Sequence, residues 1–246
     1  MCAGCGLELV IRVIYDVLQD NFIEFGGPGC CLLTERCTVP CYGTLFTNMA
    51  PSASGVSRSL LRQGKDTTCL CIGGDGMFSD IAFGNLSAAA ERGEHLMVVC
   101  YDNEAYMNTG IQRSSSTPRF AKPPPPPWHR VPGKIQNKKN LTDIIAATTC
   151  PMCPDHLHRA TSGTCTPRPR RHLHPRPQLP EHHGPWPRGW EYPAEKLPEI
   201  CKLAVETCVW PLFEVIDGVW HLSYEPKNKR PVEEYLRLQG RFRHMF

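Results

Sequence analysis

The stretch Thr67-Thr-Cys-Leu-Cys-Ile-Gly-Gly-Asp-Gly76, with Leu96-Met-Val-Val-Cys-Tyr-Asp-Asn103 beyond it, decides the architecture. Residues 67–72 are an apolar run of strand length that stops at once in glycine. Residues 79–92 have the Ala-rich composition of a helix, and residues 96–101 form a second buried strand that ends at Asp102-Asn103. Strand, loop, helix and strand in that order is the rhythm of a βαβ unit. Continuous apolar strands, unlike alternating ones, belong to a parallel sheet covered on both faces. The sequence therefore reads as α/β, a parallel sheet with helices on both faces.

Working outward, residues 7–20 have the spacing of a helix with a strong apolar face, and residues 22–25 that of a short strand stopped by Gly26-Gly-Pro-Gly29. Residues 51–63 and 194–209 read as further helices and residues 210–215 as a strand, with a turn at Asp217-Gly218. The tail, 231–246, has the pattern of a basic amphipathic helix. A length of 246 residues suits one α/β domain spanning 1–246.

Bulk composition excludes several classes. The net charge of +3 is too mild for a nucleic-acid-binding face, and no basic stripe interleaves with aromatics. No run of about 18 apolar residues offers a membrane span. No basic region precedes an apolar stretch at the N-terminus, so no signal peptide is expected and the chain is placed in the cytoplasm. There, 14 cysteines point to metal binding or to inert buried thiols rather than disulfides.

The chemistry sits at the two strand ends. Gly74-Asp75-Gly76 follows the first strand, and Asn103 follows the second, 27 residues beyond Gly76. Glycines let a backbone approach phosphates, and a carboxylate plus an amide oxygen are hard ligands for Mg²⁺. A diphosphate held through a divalent cation needs these parts, at the strand ends where parallel sheets bind ligands. The tetrapeptide alone is a common turn. Its spacing and strand context favour the cation. Cys2 and Cys5 form a C-x-x-C pair, with Cys30 25 residues further on, a set that suits an iron–sulfur cluster or zinc. Cys31, Cys37, Cys41, Cys69, Cys71, Cys100, Cys201 and Cys208 lie in or beside apolar runs and read as buried small hydrophobes.

The run Tyr101-Asp-Asn-Glu-Ala-Tyr-Met-Asn-Thr-Gly-Ile-Gln112, taken with Gly74-Asp75-Gly76, resembles the thiamine diphosphate motif of the pyruvate:ferredoxin oxidoreductase family. The Cys2-Ala-Gly-Cys-Gly6 opening, Pro28-Gly-Cys30, Ala53-Ser-Gly-Val56, the run Lys202 to Phe213 and Leu238-Gln-Gly-Arg-Phe-Arg-His244 resemble that family's cofactor-binding subunit. The resemblance covers residues 1–121, 131–149 and 186–246. It implies that Asp75, Asn103 and the backbone carbonyl of Ala105 bind Mg²⁺, with Gly74 and Gly76 beside the diphosphate. It implies that Asn108 reaches toward the reactive thiazolium carbon, and that Cys2, Cys5 and Cys30 bind a [4Fe–4S] cluster. The implied activity is oxidative decarboxylation of a 2-oxoacid, pyruvate first, with coenzyme A, electrons leaving through iron–sulfur clusters to ferredoxin. The implied partners are alpha, gamma and ferredoxin-like delta subunits, one of which supplies the glutamate that activates the aminopyrimidine ring. Sister activities on oxalate, branched-chain 2-oxoacids or 2-oxoglutarate, a non-catalytic product of a damaged gene, and a zinc module are the competing readings. Thr47 and Asn48 lie near a segment that lines the family's active site.

Two stretches depart from the family. Residues 122–130 read Lys-Pro-Pro-Pro-Pro-Pro-Trp-His-Arg where the family is Thr-rich. Residues 151–185 contain no Val, Ile, Phe or Tyr but six of the ten histidines. Such a segment buries too little apolar surface to order itself. Segments 122–130 and 151–183 are therefore expected to be disordered or read out of frame, and 151–183 to pack poorly. Resequencing that finds these codons intact in frame removes the second explanation. Trp186 stands where the family carries its fourth cluster cysteine, and an indole cannot bind iron.

Overall fold

The apolar face expected over residues 7–20 forms helix α1 (Leu7–Leu18), which buries Leu7, Val10, Ile11, Ile14 and Leu18 at helical spacing. In the computed structural model the described residues are 2–30, 39–122, 133–148, 178–216 and 218–246, with the backbone of 159–163. After α1 come β1 (Phe22–Gly26), β2 (Cys41–Gly43), α2 (Met49–Arg62), β3 (Thr68–Gly74), α3 (Phe83–Glu91), β4 (Leu96–Asp102) and α4 (Leu141–Ala147). Then follow β5 (Arg159–Gly163), β6 (Gln178–His183), α5 (Pro187–Trp190), α6 (Leu197–Glu206), β7 (Leu212–Ile216), β8 (Val219–Tyr224) and α7 (Val232–Arg237).

The strands form one sheet in the order β2-β1-β3-β4-β6-β5-β7-β8. Every pairing from β2 to β5 is parallel, and β7 closes on β5 antiparallel. The two-residue side-chain period sorts β3 and β4 into two layers. Leu70, Ile72, Met97, Val99 and Tyr101 face α1. Cys69, Cys71, Leu96, Val98 and Cys100 face α2, α3 and α4. Both faces are thus covered, as the continuous apolar runs predict. Full burial of each large apolar side chain here stabilises the fold by about 1.5–3 kcal/mol.

The structure corrects four expectations. Residues 178–183 do pack: β6 lies between β4 and β5, with Glu181, His182 and His183 at most 4% exposed. Parallel pairing with β4 satisfies its backbone, which composition does not register, at the expense of desolvating three polar side chains. The backbone of 159–163 is likewise a sheet strand, while 123–130, 151–158 and 164–177 lie outside the described residues. The expected helix over 231–246 divides into α7 and a 3-10 segment, Gly240–Met245, with Tyr235, Arg241 and Phe242 buried inward. Of the cysteines read as buried, Cys69, Cys71 and Cys100 are, whereas Cys41 and Cys208 are exposed. Cys41 sits in edge strand β2, whose residues are all exposed. Cys31 and Cys37 lie outside the described residues. The expected helix over 79–92 is preceded by a π-helical turn, Gly76–Ile81, a geometry often found at functional sites.

Candidate functional site

A cavity of about 170 Å³ opens at the C-terminal ends of β3 and β4. Gly74, Gly76 and Met77 line it from β3, and Asn103, Ala105, Tyr106 and Asn108 from β4. Cys30, beyond the Gly-rich loop after β1, closes a third side. Glycine is required at 76, because a Cβ there would come within 2.4 Å of the Tyr106 ring. Tyr106 is fixed in turn by its hydroxyl, which donates to Asp80 Oδ2 at 3.0 Å.

Asp75, 1% exposed, follows β3 and heads the π turn. One end of the Asn103 side-chain amide lies 3.0 Å from Asp75 Oδ1 and 2.8 Å from the Ala105 carbonyl oxygen. With nitrogen at that end, the amide donates to both. With oxygen there, three oxygens converge. Two neighbouring ligands of an octahedral Mg²⁺, each 2.0–2.1 Å from the ion, stand about 2.9 Å apart. The two observed spacings, 3.0 and 2.8 Å, match the separation of neighbouring ligands in a Mg²⁺ coordination shell. The donor set fits a hard divalent cation.

Burial, and then the carboxylate of Asp102, push Asp75 well above the usual carboxylate range, while a 2.5 Å hydrogen bond from Ser114 Oγ opposes the shift. A divalent cation removes the cause of this shift by supplying the missing counter-charge. Replacing Ser114 by Ala strengthens proton competition for Asp75. Mg²⁺ affinity is expected to fall about 10-fold, and the deficit to shrink as pH rises and the carboxylate deprotonates without help. A Mg²⁺ titration at several pH values measures this.

The family model described as "Thiamine pyrophosphate enzyme, C-terminal TPP binding domain" matches residues 33–160. The pyruvate synthase subunit PorB of Methanocaldococcus jannaschii is 37% identical over 99% of this chain and 87% of that protein. The chain belongs to the thiamine-diphosphate-binding beta-subunit family of the 2-oxoacid:ferredoxin oxidoreductases. PorB of Methanosarcina barkeri is 39% identical, over 100% of this chain and 86% of its own length. Among solved structures, the 2-oxoglutarate:ferredoxin oxidoreductase of Magnetococcus marinus shares the fold, with a TM-score of 0.63 at 18% identity over 76% of this chain and 64% of that one.

The structure of this oxidoreductase subunit gathers most of the residues singled out in its sequence. Gly74, Gly76, Asn103, Ala105 and Asn108 line one cavity, Asn108 exposed at it, and Asp75, buried, meets the Asn103 amide. Phe46 lines the cavity, whereas Thr47 and Asn48 do not; Thr47 Oγ1 donates instead to Asn48 Oδ1 at 3.1 Å. Cys30 lines the same cavity, and Cys5 Sγ lies 3.6 Å from the Tyr101 hydroxyl. The Cys30 thiol is pushed up by burial first, and then by Cys5 and Cys2, so the three thiols are in electrostatic reach of one another. Among the described residues, no three Cys, His, Asp or Glu side chains come close enough together to hold a metal ion. Trp186 packs instead against the aromatic cluster around Trp190 and Met107. The described residues do not fit a four-thiolate cluster.

Sequence reading missed the supports of the oxidoreductase site. Ser114 is one member of a Ser114-Ser-Ser116 run that carries no recognisable spacing. Lys138 Nζ donates to Asp102 Oδ2 and, at 2.9 Å, to Glu104 Oε1. Burial alone would raise Glu104, but Lys138 and Arg241 outweigh it and hold its carboxyl at about 2. Only the alternation of acids around Asn103, in Asp102-Asn-Glu104, hinted that cations were needed nearby.

Proposed function

We propose that this chain is the cofactor-holding subunit of an enzyme that oxidatively decarboxylates a 2-oxoacid, pyruvate first, with coenzyme A, passing electrons to ferredoxin. The observation that carries the reading is the approach of the Asp75 carboxylate and the Ala105 carbonyl oxygen to one end of the Asn103 amide, beside the cavity at the ends of β3 and β4 that Asn103 and Ala105 line. These three oxygens bind Mg²⁺, and the backbone at Gly74 and Gly76 gives the diphosphate close approach. When bound, thiamine diphosphate supplies the electron sink for loss of carbon dioxide. The chain's own residues hold the ion, orient the cofactor and present Asn108 to the reacting end. Relatives named as PorB subunits support a chain that works with other subunits. Among the described residues, no helix is long and apolar enough to cross a membrane.

Asn108 is exposed at the cavity and has no part in the cation site. Replacing it by Ala is expected to lower kcat about 100-fold, the usual cost of one preorganised hydrogen-bond group, while leaving cofactor affinity within about threefold. Steady-state kinetics of the assembled complex, with parallel cofactor titration, separates the two effects.

The iron–sulfur expectation rests on the family resemblance together with the spacing of Cys2, Cys5 and Cys30. Iron and sulfide analysis of the anaerobically purified complex tests it: acid-labile sulfide that falls when Cys30 becomes Ser supports a cluster on this chain, and unchanged sulfide removes it. The substrate is tested on the same complex by comparing pyruvate, 2-oxoglutarate, branched-chain 2-oxoacids and oxalate. A higher kcat/KM for any but pyruvate overturns the pyruvate reading.

A further inference from the structure

The turn that carries Asn103 and Ala105 is braced by a side chain from the far end of the sequence. Arg241, in the C-terminal 3-10 segment, is 4% exposed. Its Nη2 donates to Glu104 Oε2 at 2.6 Å and its Nε to Gln239 Oε1 at 2.9 Å. Its guanidinium lies 3.7 Å from the centroid of the Trp190 ring. Trp190 in turn donates its indole N–H to the Asn103 carbonyl oxygen at 2.9 Å. Arg241 therefore reaches the turn by two routes, through the Glu104 side chain and through Trp190.

The turn needs such bracing. Glu104 has φ +64, a left-handed conformation that a non-glycine residue keeps only where its surroundings impose it. The carbonyl oxygens of Asp102, Asn103 and Glu104 accept from Gly184 N at 2.8 Å, Trp190 Nε1 at 2.9 Å and Thr117 Oγ1 at 2.6 Å. The next carbonyl, that of Ala105, is the one turned toward the Asn103 amide. The left-handed residue falls between the two groups that face the cation.

We propose that Arg241 is a positioning residue for the cation site: through Glu104 and Trp190, the C-terminal tail holds the turn that presents the Asn103 side chain and the Ala105 carbonyl oxygen to a divalent ion. This inference rests on the cofactor reading above and deepens it. Arginine suits the role because its planar fork bonds two partners while its face stacks on an indole, which a lysine ammonium cannot do at once.

The test is the Mg²⁺ concentration that gives half-maximal binding of thiamine diphosphate to the full chain in its complex, for wild type, Arg241→Met and Arg241→Lys. The expected result is a midpoint raised 10- to 100-fold in Arg241→Met, the range seen when supports behind metal ligands are removed, and only partial recovery in Arg241→Lys. Thiamine diphosphate affinity at saturating Mg²⁺ should move far less. A merely structural role lowers the melting temperature without moving the midpoint of the protein that stays folded, and that result overturns the inference. Should Arg241→Met fail to fold, Arg241→Lys keeps the buried charge and decides alone: a wild-type midpoint in it overturns the proposal. Wild-type protein with no Mg²⁺-dependent binding overturns the cofactor reading itself, a distinct failure.

Discussion

Replacing Asp75 by Asn is expected to abolish cation-dependent thiamine diphosphate binding while leaving the ion-free fold as stable as before, or more so. Asp75 is the only carboxylate among the three groups that converge on the cation. Without it the ion meets two neutral oxygens, and affinity should fall by at least about 100-fold. The opposite effect on the ion-free protein follows from the same environment. Burial first, and then Asp102, raise the Asp75 carboxyl in the folded state. The folded chain then keeps a proton where the unfolded chain has lost it, so stability falls as pH rises above the ordinary carboxylate value near 4. Asparagine keeps the shape and has no such slope. In the absence of Mg²⁺, the variant should gain on wild type as pH rises. Thermal unfolding of the chain with and without Mg²⁺ and cofactor measures both halves. Ligand at about 100 times its Kd stabilises wild type by about 2.7 kcal/mol, and it should leave the variant's melting temperature unmoved.

The second large effect is predicted in β6. His182 is 2% exposed, and its Nδ1 has no hydrogen-bond partner among the described residues. Leaving a buried polar atom unpaired costs about 1–3 kcal/mol, so His182→Leu, close in volume, is expected to stabilise the fold by that amount at pH 8. The gain should widen in acid. Burial lowers the His182 imidazole from 6.5 to about 4. Below pH 6.5 the unfolded chain takes up a proton that the folded chain refuses, so wild type loses stability down to about pH 4, on the order of 3 kcal/mol from this residue. Leucine does not titrate. Whole-protein pH dependence would hide the effect, because Glu181, raised to about 7 by burial and Asp102, adds stability over much of the same range. The difference between wild type and variant, from urea unfolding at pH 8, 6 and 4.5, isolates it. A constant difference across that series would mean that His182 is solvated or paired.

Much of this was legible in the sequence because period and punctuation coincide. The apolar runs at 67–72 and 96–101 are buried from both sides, and each ends where the ligand-facing residues begin. That is the geometry of a parallel sheet, and it puts Asp75 and Asn103 together at neighbouring strand ends, whereas Asn108 is legible only through the family resemblance. β6 was illegible for a physical reason. Gln178-Leu-Pro-Glu-His-His183 has neither strand composition nor an apolar face, and its place is set by backbone pairing with β4, a long-range term that local pattern does not carry. The bracing of Glu104 by Arg241 joins residues 137 positions apart in the chain, so spacing could not reveal it. The tail's pattern suggested a basic amphipathic helix, yet Arg241 is buried because Glu104 and Trp190 supply the charge and the ring face it needs. The cysteines show the limit of motif reading most plainly. The C-x-x-C spacing and Cys30 were visible, but position 186, where the family carries its fourth ligand, is tryptophan here, and the substitutes Cys150, Cys153 and Cys165 lie outside the described residues.

The central claim is that Asp75, Asn103 and Ala105 hold a diphosphate through a divalent cation, and the most direct measurement is the thiamine diphosphate content of the complex purified anaerobically with its partner subunits, before and after treatment with a chelator. The account predicts stoichiometric cofactor per chain, lost with the chelator and restored by Mg²⁺ with added thiamine diphosphate in wild type but not in Asp75→Asn. Cofactor that stays bound after the chelator, or that returns equally in Asp75→Asn, would contradict it.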